Sequence, residues 1–174
     1  DLHASLAPSE MCIRDRKKMA DKSPEEQEQF VKSVVDSIHV TTDAAKAVES
    51  TDLVIEAIIE NMKIKKELFG FLDSKAPAGA IFASNTSSLS ISEVASATKR
   101  EDRFGGFHAF NPVPQMKLIE IVRTSQTSPE THETLVEVAK RMGKVPVSCK
   151  DSPGFIVNLS LIHISDGARE ACRS

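Results

Sequence analysis

The chain has 174 residues, 40% of them hydrophobic and 27% charged, and a formal net charge of −3, values typical of a soluble globular protein with a core of its own. The slightly acidic charge and the absence of Trp and Tyr argue against binding to nucleic acid or to anionic membranes. Three widely spaced cysteines indicate neither a disulfide framework nor a metal site, and no apolar run approaches the roughly 18 residues of a membrane span.

The first regular element is predicted after an irregular beginning, because residues 1–16 follow neither the helical nor the strand period. A helix is predicted to begin at Ser23, where a capping hydroxyl, a proline and Glu26 occur at the spacing of a helix start. A short strand over Ile38–Thr42 and a small helix opened by Thr42-Asp43 are expected to follow.

Strands and helices alternate through the middle of the chain. Leu53–Ile59 is a nearly continuous apolar run, which is typical of a strand buried on both faces. The elements predicted after it are, in chain order, an amphipathic helix around Ile64–Leu72, a strand over Ala80–Ala83, a helix near Ser90–Thr98, strands over Phe104–Phe110 and Lys117–Val122, a helix from Ser128 to Gly143, a strand over Val145–Ser148, and a helix entry at Ser152-Pro153-Gly154. This alternation favours an α/β fold with a mainly parallel sheet.

Two ionisable residues stand inside apolar segments. His108 lies between Phe107 and Phe110, and a single histidine in such a place is more often structural. Glu120 lies inside M-K-L-I-E-I-V, where a carboxylate has to be paired unless Lys117 and Glu120 form the solvated face of an edge strand. A carboxylate that met the imidazole would fix its tautomer and raise the basicity of the other nitrogen, as a general base requires.

Polar residues follow two of the predicted strands. Ser87 and Ser88, which follow Asn85-Thr86 at a strand-to-helix turn, either cap the next helix or present one hydroxyl to a substrate while the Asn85 amide holds a cofactor. Glu60 and Asn61 have two similar interpretations, a helix start or a polar pair at a ligand crevice. Cys149 could be a nucleophile, but an inert, partly buried thiol fits better because nothing nearby visibly lowers its pKa.

Five segments, in this order, carry a resemblance to a known family. They read L-V-I-E-A-I-I-E-N, I-F-A-S-N-T-S-S-L, R-F-G-G-F-H-A-F-N-P-V-P, M-K-L-I-E-I-V and V-S-C-K-D-S-P-G-F-I-V-N. With them, the chain from Lys17 to Asn158 resembles the short-chain L-3-hydroxyacyl-CoA dehydrogenases of fatty-acid β-oxidation. The resemblance implies a Rossmann-type NAD-binding domain followed by a helical domain that supplies the contacts of a homodimer.

The resemblance also implies an activity, the oxidation of L-3-hydroxyacyl-CoA to 3-oxoacyl-CoA with NAD as cofactor. His108 matches the catalytic base that takes the proton of the 3-hydroxyl while the hydride leaves C3. Glu120 matches the carboxylate that stabilises the resulting imidazolium. Ser87 and Asn158 match residues that contact the substrate or shape its pocket.

Other positions match the family's ligand contacts. The residues that match NAD-contacting positions are Glu60, Lys65, Ser87 and Asn111. Lys17 or Lys18 falls where the family places a lysine on the coenzyme A moiety of the substrate. The predicted partners are therefore a 3-hydroxyacyl-CoA substrate and a second copy of the chain, with no nucleic acid.

The family pattern is incomplete at both ends of the chain. The family begins with a strand and a G-x-G-x-x-G turn whose amides bind the pyrophosphate, and the seven glycines here never fall at that spacing. We therefore expect a Rossmann-type, mainly parallel sheet with flanking helices that lacks its first βα unit and the C-terminal helical domain. Residues 1–16 and 159–174 resemble translated sequencing adapter and are predicted to be a non-native or disordered leader and tail. Residues 17–150 would form a partial NAD-binding domain and 151–158 the start of the helical domain, a fragment expected to be inactive alone.

Two alternatives share these motifs. One is a 3-hydroxybutyryl-CoA dehydrogenase, and the other is a non-catalytic, crystallin-like protein that reuses the scaffold. The presence of both His108 and Glu120 argues against the second, since a purely structural protein does not need the pair. The compartment depends on the source, because the family works in the mitochondrial matrix of eukaryotes and in the cytoplasm of bacteria.

Overall fold

The computed structural model describes residues 21–152, 154 and 155, and the chain divides into two compact units, residues 1–42 and 43–174. The first unit contains helix α1 (Pro24–Asp36), which begins with the predicted capping box. The Ser23 hydroxyl accepts from the Glu26 N–H at 3.2 Å, and the Ser23 N–H donates to the Glu26 carboxylate at 2.9 Å.

The strand predicted over Ile38–Thr42 is wrong, because these residues are exposed and form no strand. The Ile38 N–H instead donates to the Val35 carbonyl at 3.0 Å, as part of the end of α1. No described strand pairs with the segment, so its backbone groups have no ladder to join.

The second unit contains a five-stranded sheet with helices on both faces. Its elements are α2 (Ala44–Val48), β1 (Leu53–Glu56), α3 (Met62–Asp73), β2 (Ile81–Ser84), α4 (Ile91–Ala95), a 3₁₀ turn (Glu101–Arg103), β3 (Phe104–Ala109), β4 (Leu118–Arg123), α5 (Pro129–Arg141) and β5 (Val145–Lys150). The helices and strands predicted between residues 43 and 150 are confirmed, although β1 ends at Glu56, α4 is shorter than expected and β5 is longer. The helix entry at Ser152-Pro153-Gly154 stays a prediction, because Pro153 and the residues after Phe155 lie outside the described residues.

The strands lie in the order β1-β2-β3-β4-β5, and three of the four pairs are parallel. The exception is the antiparallel pair of β3 and β4. Because the chain reverses there, the carboxyl ends of β1, β2 and β3 lie at the same edge of the sheet as the amino ends of β4 and β5. The mainly parallel sheet with flanking helices is confirmed, and polar residues from five strands can meet at this edge.

Apolar side chains fill the sheet from both sides. On one face, Phe69 of α3 packs on Phe82 and Phe104 with ring centroids 5.6 and 4.7 Å apart, in a cluster that α4 completes. On the other face, Leu135 and other residues of α5 pack on β3 and β4. The two faces therefore have separate cores.

The prediction that Leu53–Ile59 is a strand buried on both faces is wrong in part. The strand ends at Glu56, and Ile55 remains 42% exposed. Within the described part of the chain, β1 pairs with β2 alone. The helix on the face of Ile55 is α5, which packs on β3 and β4 at the other end of the sheet. A purely apolar run predicts that a strand is buried, but it does not predict which helix or strand packs against it.

Consecutive glycines in β3 allow this dense packing. A Cβ at Gly106 would lie 2.7 Å from the Cβ of Val122, and one at Gly105 would lie 2.7 Å from Cδ1 of Leu135. Both distances are too short for real contacts. The glycines therefore let β4 and α5 approach the strand that carries His108.

Asp151 joins the end of β5 to the start of α4. Its carboxylate accepts from the Ser92 N–H and hydroxyl at 2.8 and 2.6 Å, from the Ile91 N–H at 2.9 Å and from the Ser90 hydroxyl at 2.9 Å. Burial opposes the charge, but these hydrogen bonds outweigh burial and lower the pKa of Asp151. The folded state therefore prefers the ionised carboxylate.

We expect Asp151→Asn to lower the free energy of unfolding by about 1–3 kcal/mol near pH 7, because its amide would face donors that now find an acceptor. The difference from wild type should be full above the unfolded pKa of about 4 and disappear as pH falls through the lower folded pKa. Urea unfolding at several pH values measures it. Asp52→Asn, at an exposed position, is the matched control, and a pH-independent difference would contradict the prediction.

Candidate active site

His108 and Glu120 are direct partners across the antiparallel strands β3 and β4. Nδ1 of His108 lies 2.7 Å from Oε2 of Glu120, and the two residues are 6% and 1% exposed. Opposed residues of a strand pair project from the same face, which explains the contact. Burial of Glu120 excludes the alternative that this carboxylate belongs to a solvated edge.

The contact gives the two ring nitrogens of His108 different roles. A carboxylate only accepts hydrogen bonds, so Nδ1 carries the hydrogen that Glu120 accepts, and Nε2 keeps a free lone pair. A neutral imidazole held in this way can take a proton at Nε2, and the adjacent carboxylate stabilises the imidazolium that forms. Phe110 and Phe155 lie against the imidazole, with ring centroids 4.5 and 5.8 Å away.

A buried ionic network connects the carboxyl ends of β1 and β2. Lys65 of α3 is 1% exposed, and its Nζ lies 2.7 Å from the Glu56 carboxylate, which is also buried. The second oxygen of Glu56 accepts from the Ser84 hydroxyl at 2.6 Å, and the first also accepts from the Ile58 N–H at 2.6 Å. Each charge therefore has partners, as buried ions require.

Glu56 and Ser84 are not among the residues predicted from the sequence. The available signal was Glu56 itself, a carboxylate inside the apolar run L-V-I-E-A-I-I. This is the same signal that singles out Glu120. A charge in such a run needs a partner, and Lys65 is nine residues away along the chain.

Glu60 extends the network to the loop after β2. Its carboxylate lies 3.4 Å from Nζ of Lys65 and accepts from the Thr86 hydroxyl and from the Ser87 N–H. Burial opposes its charge, but the hydrogen bond from Thr86 and the ammonium of Lys65 outweigh burial and lower the pKa of Glu60. The side chain is 38% exposed, so part of this carboxylate still faces outward.

The interpretation of the Glu60-Asn61 pair as a helix start is confirmed for Asn61, and the interpretation as a polar pair at a ligand crevice stays a prediction. Asn61 caps α3, because its side-chain oxygen accepts from the Ile64 N–H at 3.1 Å. Glu60 instead contacts the loop after β2 at the polar edge of the sheet. The Asn85 side-chain oxygen accepts from the Ala109 N–H at 2.8 Å, which ties the end of β2 to the end of β3.

The matched family model is described as the NAD binding domain of 3-hydroxyacyl-CoA dehydrogenase, and it covers residues 4–152. The chain belongs to the 3-hydroxyacyl-CoA dehydrogenase family. The recognition made from the five sequence segments is therefore confirmed, and NAD is confirmed as the cofactor of the matched domain.

The names of similar proteins agree with the assignment of the chain to this family. The chain is 54% identical over 153 residues to the mitochondrial hydroxyacyl-coenzyme A dehydrogenase of Rattus norvegicus, covering 88% of this chain and 49% of the rat protein. It is 52% identical over 111 residues to the 3-hydroxybutyryl-CoA dehydrogenase of Clostridioides difficile, covering 64% of this chain and 40% of that protein. The chain spans about half the length of the curated relatives it matches.

Solved structures confirm the Rossmann-type fold. The (S)-3-hydroxybutyryl-CoA dehydrogenase PaaH1 from Ralstonia eutropha matches with a TM-score of 0.78 at 40% identity, over 91% of this chain and 53% of that one. M. tuberculosis FadB2 matches with a TM-score of 0.78 at 34% identity, over 93% of this chain and 57% of that one.

The residues predicted to contact ligands differ in exposure, and some of them lie outside the described residues. Ser87 and Asn111 are exposed at the edge of the sheet formed by the carboxyl ends of β1, β2 and β3, and part of the Glu60 carboxylate faces outward near them. Lys65 instead has a buried ammonium whose nearest partner is Glu56. The positions predicted at Lys17, Lys18 and Asn158 lie outside the described residues, so their roles stay predictions.

Neither a metal centre nor a membrane span is evident in the part of the chain that the structure describes. There, His, Cys, Asp and Glu side chains form no group of three able to hold a metal ion. Among the same residues, every helix is too short or too polar to cross a membrane.

Cys149 is expected to react slowly with thiol reagents in the native dehydrogenase fold. Burial, with a smaller effect from Glu120, raises its pKa from 9.0 to about 11, which reduces the thiolate fraction at pH 8 about a hundredfold. Ellman's reagent would measure the rate in a Cys12→Ser, Cys172→Ser variant, with the urea-unfolded protein as control. Equal rates in the two states would contradict the inert interpretation.

Proposed function

We propose that the protein expressed from the complete gene oxidises L-3-hydroxyacyl-CoA to 3-oxoacyl-CoA in fatty-acid β-oxidation. The observation that carries this proposal is the buried contact between His108 and Glu120 in a chain that belongs to the dehydrogenase family. The direction of the contact leaves Nε2 of His108 as the base, which is the group that alcohol oxidation needs.

In this proposal, Nε2 of His108 takes the proton of the 3-hydroxyl, and Glu120 stabilises the imidazolium. When bound, NAD supplies the hydride acceptor. Ser87 holds a substrate oxygen from the loop after β2. The burial of Glu120 and the two phenylalanine rings beside His108 exclude water from the pair, which strengthens their electrostatic interaction.

The residues proposed to contact NAD are Glu60, Lys65, Ser87 and Asn111. Glu60, Ser87 and Asn111 lie at the carboxyl ends of neighbouring strands, where open α/β sheets bind their ligands. Because Lys65 is buried, we propose that it affects NAD binding through Glu60, whose carboxylate lies 3.4 Å from its ammonium. Lys17 or Lys18 would bind the coenzyme A moiety, Asn158 would shape the substrate pocket, and the complete protein would form a homodimer through a helical domain that starts at 151–158.

A 3-hydroxybutyryl-CoA dehydrogenase is the second candidate, and the similarity to the C. difficile protein of that name favours it. A crystallin-like role has weaker support, because it gives no reason for a buried His108–Glu120 pair. The names of the rat, pig and human relatives support a mitochondrial compartment if the source is eukaryotic, and the matrix is the part of it that we propose. A bacterial source would imply the cytoplasm.

The reduction of acetoacetyl-CoA, followed by NADH absorbance, tests the proposal in the reverse direction. The protein expressed from the complete gene should oxidise NADH with acetoacetyl-CoA but not with acetoacetate, which lacks coenzyme A. Comparable kcat/KM for longer 3-oxoacyl-CoA substrates would favour β-oxidation, whereas a strong preference for the four-carbon substrate would favour the second candidate. A folded protein with no turnover of any of these substrates would remove the proposal.

A further inference from the structure

Phe155 has an unusual backbone conformation for its residue type. Its φ is +49°, and among residues 21–152, 154 and 155 it is the one non-glycine residue with a positive φ. The preceding Gly154, at φ +77°, adopts this left-handed region without penalty, but a bulky side chain does so at a cost in free energy. Something else in the fold must offset that cost.

The Phe155 side chain shows what offsets it. The ring is 2% exposed and belongs to the apolar cluster between the sheet and helices α3 and α4. The turn that carries it is closed by the Phe155 N–H, which donates to the Ser152 carbonyl at 3.0 Å. The left-handed backbone therefore brings a large side chain inward directly after β5, at the end of the sheet where Asp151 caps α4.

The same ring also contacts His108, with 5.8 Å between the centroids and 55° between the ring planes. Such a tilted arrangement is favourable for aromatic pairs. Glu120 holds one atom of the imidazole, Nδ1, and Phe110 packs on the ring with 4.5 Å between the centroids, but without Phe155 the ring could still tilt toward the space that Phe155 fills. A packed neighbour removes this freedom.

We propose that Phe155 is a positioning residue for the catalytic base, acting by holding the His108 imidazole in the orientation that presents Nε2 to the substrate. The inference rests on the proposed function. Backbone outliers that persist in a packed structure often accompany functional sites, and displacement of a reacting group by about 1 Å can lower the rate about a hundredfold. Phe155 has no group that can exchange a proton or bind a hydride, so its effect reaches the reaction through His108.

Phe155→Leu in the protein expressed from the complete gene tests this role. The variant keeps an apolar side chain but removes the ring, so kcat for acetoacetyl-CoA reduction should fall at least about tenfold, while KM for NADH stays within about twofold. Phe155→Tyr keeps the ring and should restore most of kcat. Phe155→Met, which fills the same space flexibly, is measured in parallel and should lose kcat as leucine does.

Phe69→Leu is the matched control. Phe69 is fully buried in the same cluster but packs on Phe82 and Phe104. This variant should lower Tm at least as much as Phe155→Leu and leave kcat within about twofold. Equal losses of kcat in the two leucine variants, or an unchanged kcat in Phe155→Leu or Phe155→Met, whichever folds, would overturn the positioning role. A wild-type protein without reductase activity would instead overturn the proposed function itself.

Discussion

Replacing His108 with glutamine is expected to lower kcat for acetoacetyl-CoA reduction by about 10²–10⁴-fold. The amide of glutamine can still donate to Glu120, which is 2.7 Å from Nδ1 in the wild type, so the carboxylate keeps a partner and the fold is retained. The amide cannot exchange a proton with the substrate oxygen at neutral pH, so the chemical step loses its acid–base group. Steady-state assays of the protein from the complete gene, at saturating NADH, would measure the loss.

His132→Gln is the matched control for this substitution. His132 is a half-buried histidine of α5 whose Nε2 lies 2.8 Å from the Ser148 hydroxyl. It therefore resembles His108 in having a hydrogen-bonded imidazole, but it belongs to α5, which packs on the opposite face of the sheet from the His108 side chain. Its replacement should leave kcat within about twofold. Equal rates for wild type and His108→Gln would remove the catalytic role of His108, even if the protein proved to be a dehydrogenase by another route.

The pairing of His108 with Glu120 could be predicted from sequence because a carboxylate within an apolar strand needs a partner. His108, in the preceding predicted strand, was a residue able to supply one within the sheet. The α/β fold could be predicted for a related reason, since apolar runs and amphipathic helices alternate along the chain. The caps at Ser23 and Ser128 were also legible, because hydroxyl, proline and glutamate occur there in the order of a helix start.

The direction of β4 relative to β3 was not predicted, although residues 111–116, which join the two predicted strands, are too few for the crossover that a parallel pair needs. A strand buried on both faces has the same apolar composition whether its neighbour runs parallel or antiparallel. The strand predicted at Ile38–Thr42 failed because β-forming residues alone do not provide a pairing partner. The left-handed conformation of Phe155 could not be predicted from the sequence, because phenylalanine rarely adopts a positive φ.

The pairing of Glu56 with Lys65 was not predicted, although the sequence contains a signal for it. Glu56 stands in an apolar run as Glu120 does, yet its partner comes from the helix that follows and not from a strand. The rule that a buried charge must be paired applies to both carboxylates. It predicts that a partner exists, whereas the identity of the partner depends on how α3 packs on the sheet.

Replacing Lys65 with methionine is expected to lower the free energy of unfolding by about 3–5 kcal/mol, because it leaves the buried carboxylate of Glu56 without its countercharge. Methionine keeps the length and apolar stem of the lysine, so the loss reports the charge more than the packing. Urea unfolding followed by far-UV circular dichroism measures it. Lys63→Met is the matched control, since the Lys63 side chain is 84% exposed and its ammonium lies 3.9 Å from Glu67, an exposed pair worth at most about 1 kcal/mol.

The double variant Lys65→Met, Glu56→Gln separates an unpaired charge from a cavity as the cause. Glutamine can still accept from the Ile58 N–H and contact the Ser84 hydroxyl, the partners that Glu56 has in the wild type, without carrying a charge. If the unpaired carboxylate causes the instability, the double variant should be more stable than Lys65→Met alone, because replacing both members of a buried pair often costs little. A double variant as unstable as the sum of the single ones would show that packing of α3, and not the charge on Glu56, depends on Lys65.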